Sequence, residues 1–152
     1  MKSKFLLIGV LLAMFTLTGC GSKKLLTTDN FKTISSNNNF KIYDVLEQYG
    51  EYDFINEATV AANDDKWQVE FYVLEDSENA KDMFNNNKSI FETYKGKNSL
   101  ESSTALGNYE NYSLTSSGYY MYICRVDNTL VYASVIDSYK DEVKEFIEKL
   151  GY

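Results

Sequence analysis

The 152-residue chain contains no histidine and no proline, and it has two cysteines. Without histidine, neither a Ser-His or Cys-His nucleophile pair nor a histidine-containing metal site can be built. The sequence also lacks a Gly-x-Ser-x-Gly motif, a phosphate-binding glycine-rich loop and an Asp-x-Asp-x-Asp-Gly calcium loop. We therefore assign no catalytic residue and expect neither a metal nor another cofactor.

The first twenty residues carry a localisation signal. Lys2 and Lys4 supply a positive start, and residues 5–17 form an uncharged, mostly apolar run. This run has the length of a signal-peptide core and is too short for a transmembrane helix, which needs about 20 residues. The run ends in Leu-Thr-Gly-Cys at residues 17–20, a sequence that closely resembles the lipobox of bacterial prolipoproteins.

The resemblance to prolipoproteins implies a lipid anchor at Cys20. In that family a diacylglyceryl group is attached to the cysteine thiol, and the peptide is cut just before the cysteine. Carried over to this chain, residues 1–19 are a signal peptide, residues 20–27 a lipidated tether reaching about 25 Å, and residues 28–152 a single α+β domain. The implied location is the outer, extracytoplasmic side of the cell membrane, with the membrane contacted through the lipid on Cys20.

The charge balance restricts the partners of the mature chain. Because Lys2 and Lys4 lie in the leader, residues 20–152 have 13 basic and 22 acidic side chains, a net charge of −9. This negative charge argues against nucleic acid as a partner and against a polybasic contact with anionic lipid. The acyl chains would therefore provide the anchoring to the membrane. With Cys20 lipidated, Cys124 is the remaining thiol, and its apolar strand pattern favours a buried, unreactive side chain.

Alternating and helical patterns predict a mixed fold. Residues 57–63 and 67–75 alternate apolar and polar side chains on either side of the turn Asp64-Asp65-Lys66, which predicts a β-hairpin. Tight polar turns between short strand-forming runs predict an antiparallel meander in the second half, and Phe40 to Leu46 predicts one further strand. The meander runs are residues 102–106, 109–114, 119–126 and 129–136.

Three helices complete the prediction, and their apolar stripes indicate packing against the sheet. The expected capping residues are Thr28 for the first helix, Asp76 or Ser77 for the second, and Ser138 for the third. Residues 47–56 have no clean period and are predicted to form a loop. The sequence thus predicts an α+β fold: an antiparallel, twisted sheet of about five or six strands with helices packed on one face. This layout and the proline-free, Lys/Asn-rich composition resemble small lipid-anchored domains of Gram-positive lipoproteins whose role is unassigned.

Two segments repeat the order strand, acidic turn, strand, capped helix. They are residues 57–94 and 119–150, and each helix follows an acid-Ser pair. A duplicated ββα unit and convergence on a common unit both explain this similarity.

Tyrosine is the one residue type whose usage suggests a contact surface. Six of the thirteen tyrosines lie between residues 109 and 132, which either reflects strand propensity or provides a face that binds a ligand. If helices cover one face, Trp67, Val69, Phe71 and Val73 lie beneath them and Tyr72 points to the open side. In the meander we expect Tyr119 to point outward and Tyr120, Tyr122 and Cys124 to point toward the core. The predicted contact surface consists of Tyr72, Tyr112 and Tyr119, and its partner is a protein or a cell-wall glycan.

Two functions remain open at this point. The first is a non-catalytic binding or accessory module at the cell surface. The alternative is a small hydrolase that acts on envelope polymers through two carboxylates, which must lie roughly 5–10 Å apart across a cleft. The absence of histidine and of nucleophile motifs favours the first function, a protein that is not an enzyme.

Overall fold

A seven-stranded antiparallel sheet organises residues 22–152, the part of the chain that the computed structural model describes. The strand order is β1-β2-β3-β7-β6-β5-β4. The predicted signal peptide and Cys20 lie outside the described residues, so the assignments made for them stay predictions. Along the chain the elements are α1 (Thr28–Asn37), β1 (Lys41–Asp44), β2 (Ile55–Asn63), β3 (Trp67–Leu74), α2 (Ser77–Glu92), β4 (Leu100–Leu106), β5 (Tyr109–Ser116), β6 (Tyr119–Val126), β7 (Thr129–Ile136) and α3 (Lys140–Lys149), with 3₁₀ turns at Leu46–Tyr49 and Asp137–Tyr139.

The strands form where the alternating pattern predicts them. Asn63 pairs with Trp67 across the β2–β3 turn, and Asp64 in that turn has φ of 49°, a conformation that aspartate tolerates better than most residues. Asp127 has the same φ in the β6–β7 turn. The sheet has seven strands rather than five or six, because all four runs of the meander and the short β1 join one sheet.

The helix ends follow ordinary capping chemistry with two differences from the prediction. Thr27 rather than Thr28 caps α1, its hydroxyl accepting from the Asn30 N–H at 3.2 Å. Asp76 caps α2 as expected, accepting from the Asn79 N–H at 2.8 Å. Ser138 does not cap α3, because the chain first makes a 3₁₀ turn and α3 begins without a side-chain cap.

Helices lie on both faces of the sheet, so the prediction of helices packed on one face is not confirmed. Phe31 of α1 and Phe146 of α3 belong to one core cluster, whereas Phe84 and Phe91 of α2 belong to a second cluster. The reason lies in the central strands, since successive strand residues point to opposite faces and residues 120–124 of β6 are all buried. Both faces of such a strand must be covered.

The two ββα segments are not copies of one unit. β3 pairs antiparallel with β7 at the centre of the sheet, so the rotation that superimposes β2 and β3 on β6 and β7 has its axis perpendicular to the sheet. Such a rotation leaves a helix on the face where it started. α2 and α3 nevertheless lie on opposite faces. The two segments therefore have opposite handedness, and convergence explains their similarity.

Candidate functional site

The segment that precedes α1 is fixed to one end of the sheet. The Asn108 side chain accepts from the Lys23 backbone N–H at 3.0 Å and donates to the Lys23 carbonyl at 3.1 Å, and Lys23 Nζ donates to the Gly151 carbonyl at 3.1 Å. Leu26 is buried in the cluster beneath α1 and α3. Lys23 to Leu26 is thus held against the domain, and Lys23 lies three positions after Cys20, a span of at most about 10 Å.

The opposite end of the sheet presents exposed aromatic and aliphatic side chains. Tyr119 begins β6 and is 51% exposed, and Ile136 is its partner on β7. Val126 ends β6 beside Asp127, whose N–H donates to the Asn108 carbonyl. Tyr119 therefore lies about 23 Å along the strand from the end that holds Lys23, at about 3.3 Å per residue.

We call this region the Tyr119 surface. Its members are large side chains that lie around the C-terminal end of α2 and the adjoining ends of β6 and β7: Ile90, Tyr94, Tyr119, Tyr132 and Ile136. Four of the five are exposed, and Tyr132 is half-buried. The first four, together with Phe91, Met121 and two serines, line a shallow cavity of about 290 Å³.

The structure separates the three tyrosines that the sequence grouped together. Tyr119 points outward as predicted, but Tyr72 and Tyr112 are 3% and 2% exposed, so the expectation that they are exposed is wrong. Both lie in the cluster beneath α2, because this helix covers the face that was expected to stay open. Tyr120, Tyr122 and Cys124 point toward the cluster under α1 and α3, as predicted.

The hydroxyls of both buried tyrosines bond to side chains of the domain itself. Tyr112 donates to the Glu101 carboxylate at 3.0 Å, and Lys95 bonds the same carboxylate at 2.5 Å and lowers the pKa of Glu101. Tyr72 donates to Glu70 and its oxygen lies 2.7 Å from the Tyr49 hydroxyl. Burial, followed by the Glu70 charge, raises the pKa of Tyr72. Both hydroxyls therefore have partners within the domain.

A second site, which sequence reasoning missed, lies between α2 and the segment that connects β1 to β2. This α2 groove has a volume of about 420 Å³ and is open to solvent. Aromatic and apolar side chains form one wall and polar side chains of α2 form the other. The lining residues are Tyr49, Tyr52, Phe54, Ile55, Asn79, Asp82, Met83, Asn86 and Asn87.

Two local signals explain why the α2 groove was missed. Residues 47–56 have no periodic pattern, so the sequence predicts a loop there and does not indicate where its three aromatic rings point. The asparagines of α2 occupy the polar side of an amphipathic helix, which ordinarily faces water. The sequence contains no local sign that the first segment folds back over the second.

Acidic side chains do not form a catalytic pair in either cavity. Among the lining residues of the α2 groove and of the cavity at the Tyr119 surface, all within residues 22–152, Asp82 is the single carboxylate. Within the same range no cluster of three or more acidic or thiol side chains is suited to hold a metal ion. Cys124 is buried, and burial raises the pKa of its thiol to about 12.

Comparisons with known proteins give a likeness of fold. No family model and no curated protein sequence matches the chain. A crystal structure from Thermotoga maritima, described as a GTP binding regulator, is similar with a TM-score of 0.50 and 19% identity, over 82% of this chain and 84% of that chain. At this identity the likeness shows the fold alone. None of the helices in residues 22–152 combines the length and the apolar character needed to cross a bilayer.

Proposed function

We propose that the chain is a membrane-anchored, extracytoplasmic lipoprotein whose domain is a non-catalytic binding module. The lipid on Cys20 attaches it to the membrane, and the Tyr119 surface contacts a protein partner. The observation that carries this proposal is the group of four exposed large side chains, with Tyr119 at its centre, at one end of the sheet.

The composition of the Tyr119 surface favours a protein as the partner. Exposed apolar side chains are ordinary when scattered, but a contiguous group marks an interaction site. Ile90 and Ile136 supply aliphatic area without a hydrogen-bonding group, which suits another protein better than a hydroxyl-rich glycan. Tyr94 and Tyr119 add flat, amphipathic rings of the kind enriched at interfaces, while their hydroxyls stay hydrated in the free protein.

The position of the fixed N-terminal segment supports this use of the surface. Because Lys23 is bound at Asn108 and Gly151, a lipid on Cys20 would hold that end of the sheet near the membrane. The Tyr119 surface lies at the other end of β6 and would face away from the bilayer. A partner in the envelope could then reach it without displacing the anchor.

The alternative function, a carboxylate-dependent hydrolase, has less support. Glycoside hydrolysis of this kind needs two carboxyl groups facing each other across the substrate. Asp82 is the one acid that lines the α2 groove and the cavity between Tyr94 and Tyr119. Asp64 and Asp65 line the opening beside Tyr119 and Ile136, but they are adjacent residues of one turn. Glu70 is engaged by Tyr72 and Gln68.

Affinity chromatography of solubilised envelope proteins tests the proposed surface. We expect the immobilised full-length lipoprotein to retain a partner that the double variant Tyr94→Ala/Tyr119→Ala does not retain. Tyr43→Ala is the matched control, because Tyr43 is 49% exposed on β1, outside the Tyr119 surface. Equal retention by the double variant and the wild type would refute the assignment of this surface.

A further inference from the structure

We propose that the α2 groove is a binding site for a neutral saccharide. This site is separate from the Tyr119 surface, and its existence does not depend on lipidation of Cys20. Three features of the groove point to this ligand: an aromatic wall, a facing row of side-chain amides, and the absence of basic side chains from its lining within the described part of the chain.

The aromatic wall is built from the segment between β1 and β2. Tyr52 is 51% exposed and packs edge-on against Phe54, with ring centroids 5.7 Å apart. A pyranose ring has one face made of C–H groups, and these carry a small positive charge that is attracted by the negative face of an aromatic ring. Tyr52 and Phe54 thus offer the apolar surface that a sugar ring needs.

The ring of Tyr49 is held in place by Tyr72. Its ring packs edge-on against Tyr72 with centroids 5.4 Å apart, and its hydroxyl lies 2.7 Å from the Tyr72 hydroxyl. Since the Tyr72 proton is donated to Glu70, the Tyr49 hydroxyl donates to Tyr72. This chain of hydrogen bonds orders the Tyr49 ring before any ligand arrives, which reduces the entropy lost on binding.

The polar wall comes from one side of α2. Asn79, Asp82 and Asn86 are spaced three and four residues apart, so they project along one stripe of the helix, and Asn87 borders this stripe. An asparagine amide both donates and accepts, which matches sugar hydroxyls that do the same. Asn87 already donates to the Met83 carbonyl at 2.9 Å, and this fixes its side chain and leaves its oxygen free to accept from a hydroxyl.

The charge of the lining and the volume of the α2 groove restrict the class of ligand that fits it. Asp82 is the one charged residue in the lining, and the whole chain has a net charge of −7, so an anionic ligand would be repelled. The volume of about 420 Å³ lies in the range of small-ligand sites. A neutral sugar unit, free or within a glycan, satisfies both conditions.

Calorimetric titration of the full-length lipoprotein, held in a detergent without a sugar headgroup, tests this inference. The probes are the neutral trimer of N-acetylglucosamine, neutral maltotriose and the anionic trimer of galacturonic acid. We expect saturable binding of at least one neutral trimer and weaker binding of the anionic one. Failure of both neutral trimers to bind, or tighter binding of the anionic trimer, would overturn the inference.

Variants locate the binding and keep it distinct from the proposed function. Tyr52→Ala is expected to weaken binding roughly two- to tenfold through loss of a stacking contact, and Tyr52→Phe to retain it. Asn86→Ala should also weaken binding, while the control Tyr94→Ala/Tyr119→Ala should bind the sugar normally. Unchanged affinity in both Tyr52→Ala and Asn86→Ala would exclude the α2 groove, whatever the outcome at the Tyr119 surface.

Discussion

Truncation of Phe146 tests the packing of α3 on the sheet. Phe146 is 3% exposed, and its ring meets Phe40 edge-on with centroids 4.4 Å apart and lies 6.0 Å from the Trp67 ring. Phe146→Ala removes the ring and leaves a cavity between the helix and β3, because the strands beneath it cannot collapse into the space. The expected loss in free energy of unfolding is about 3–5 kcal/mol.

A second substitution divides this loss into two parts. Phe146→Leu keeps much of the apolar volume but loses both aromatic contacts, each worth about 0.5–1.5 kcal/mol. We therefore expect a loss of about 1–3 kcal/mol. Because domains of ordinary stability unfold at a cost of about 5–15 kcal/mol, the alanine variant should lose a large share of the total.

Urea unfolding followed by tryptophan fluorescence measures these changes, since Trp67 is the single tryptophan and lies next to the substituted ring. Leu106→Ala on β4 is the control, because Leu106 is 59% exposed and should lose no more than about 0.5 kcal/mol. A loss below about 1 kcal/mol for Phe146→Ala would refute the assignment of Phe146 to the core.

Three further predictions follow from the two-sided core and from the two cysteines. Phe84→Ala on the opposite face should also lose about 3–5 kcal/mol in urea, since Phe84 is buried beneath α2. Cys20→Ala should abolish metabolic labelling with a fatty acid, and label retained by that variant would contradict the lipid anchor. Cys124 should react with a thiol reagent at pH 8 after unfolding but not before. The pKa of this thiol is about 12 in the folded protein and about 8.5 in the unfolded chain. The contribution of the buried thiol to stability is therefore complete below about pH 8.5 and falls as the pH rises toward 12. Alkaline unfolding curves of the wild type and Cys124→Ala measure this difference.

Local structure was predictable where side-chain periodicity is strict. The β2–β3 hairpin, the four meander strands and the cores of the three helices lie where the alternating and helical patterns indicate them, although Asp76 of α2 is the one cap that agrees with the prediction. Tyr119 is exposed as predicted, but strand parity does not explain this, since Met121 and Ile123 on the same face are buried. Its exposure follows from its place at the start of β6. These features depend on residues close in sequence, so a local pattern is sufficient to identify them.

The covering of the second face was not predictable from the same patterns. Tyr72 and Tyr112 look like residues of a wet face, because a tyrosine tolerates water as well as burial. Their burial depends on α2 crossing β3 and β5, a long-range arrangement. The α2 groove was missed for a related reason, since it forms where Tyr52 and Asn86, 34 positions apart in the sequence, come to line one cavity.

Site-specific photocrosslinking in living cells tests the central claim most directly. In one strain, Tyr119 of the full-length chain is replaced by p-benzoylphenylalanine. In a control strain the same replacement is made at Tyr43, which is 49% exposed on β1. We expect a protein adduct of one defined mass from position 119 and none of that mass from position 43. No adduct from position 119, or the same adduct from both positions, would contradict the claim that the Tyr119 surface binds a partner.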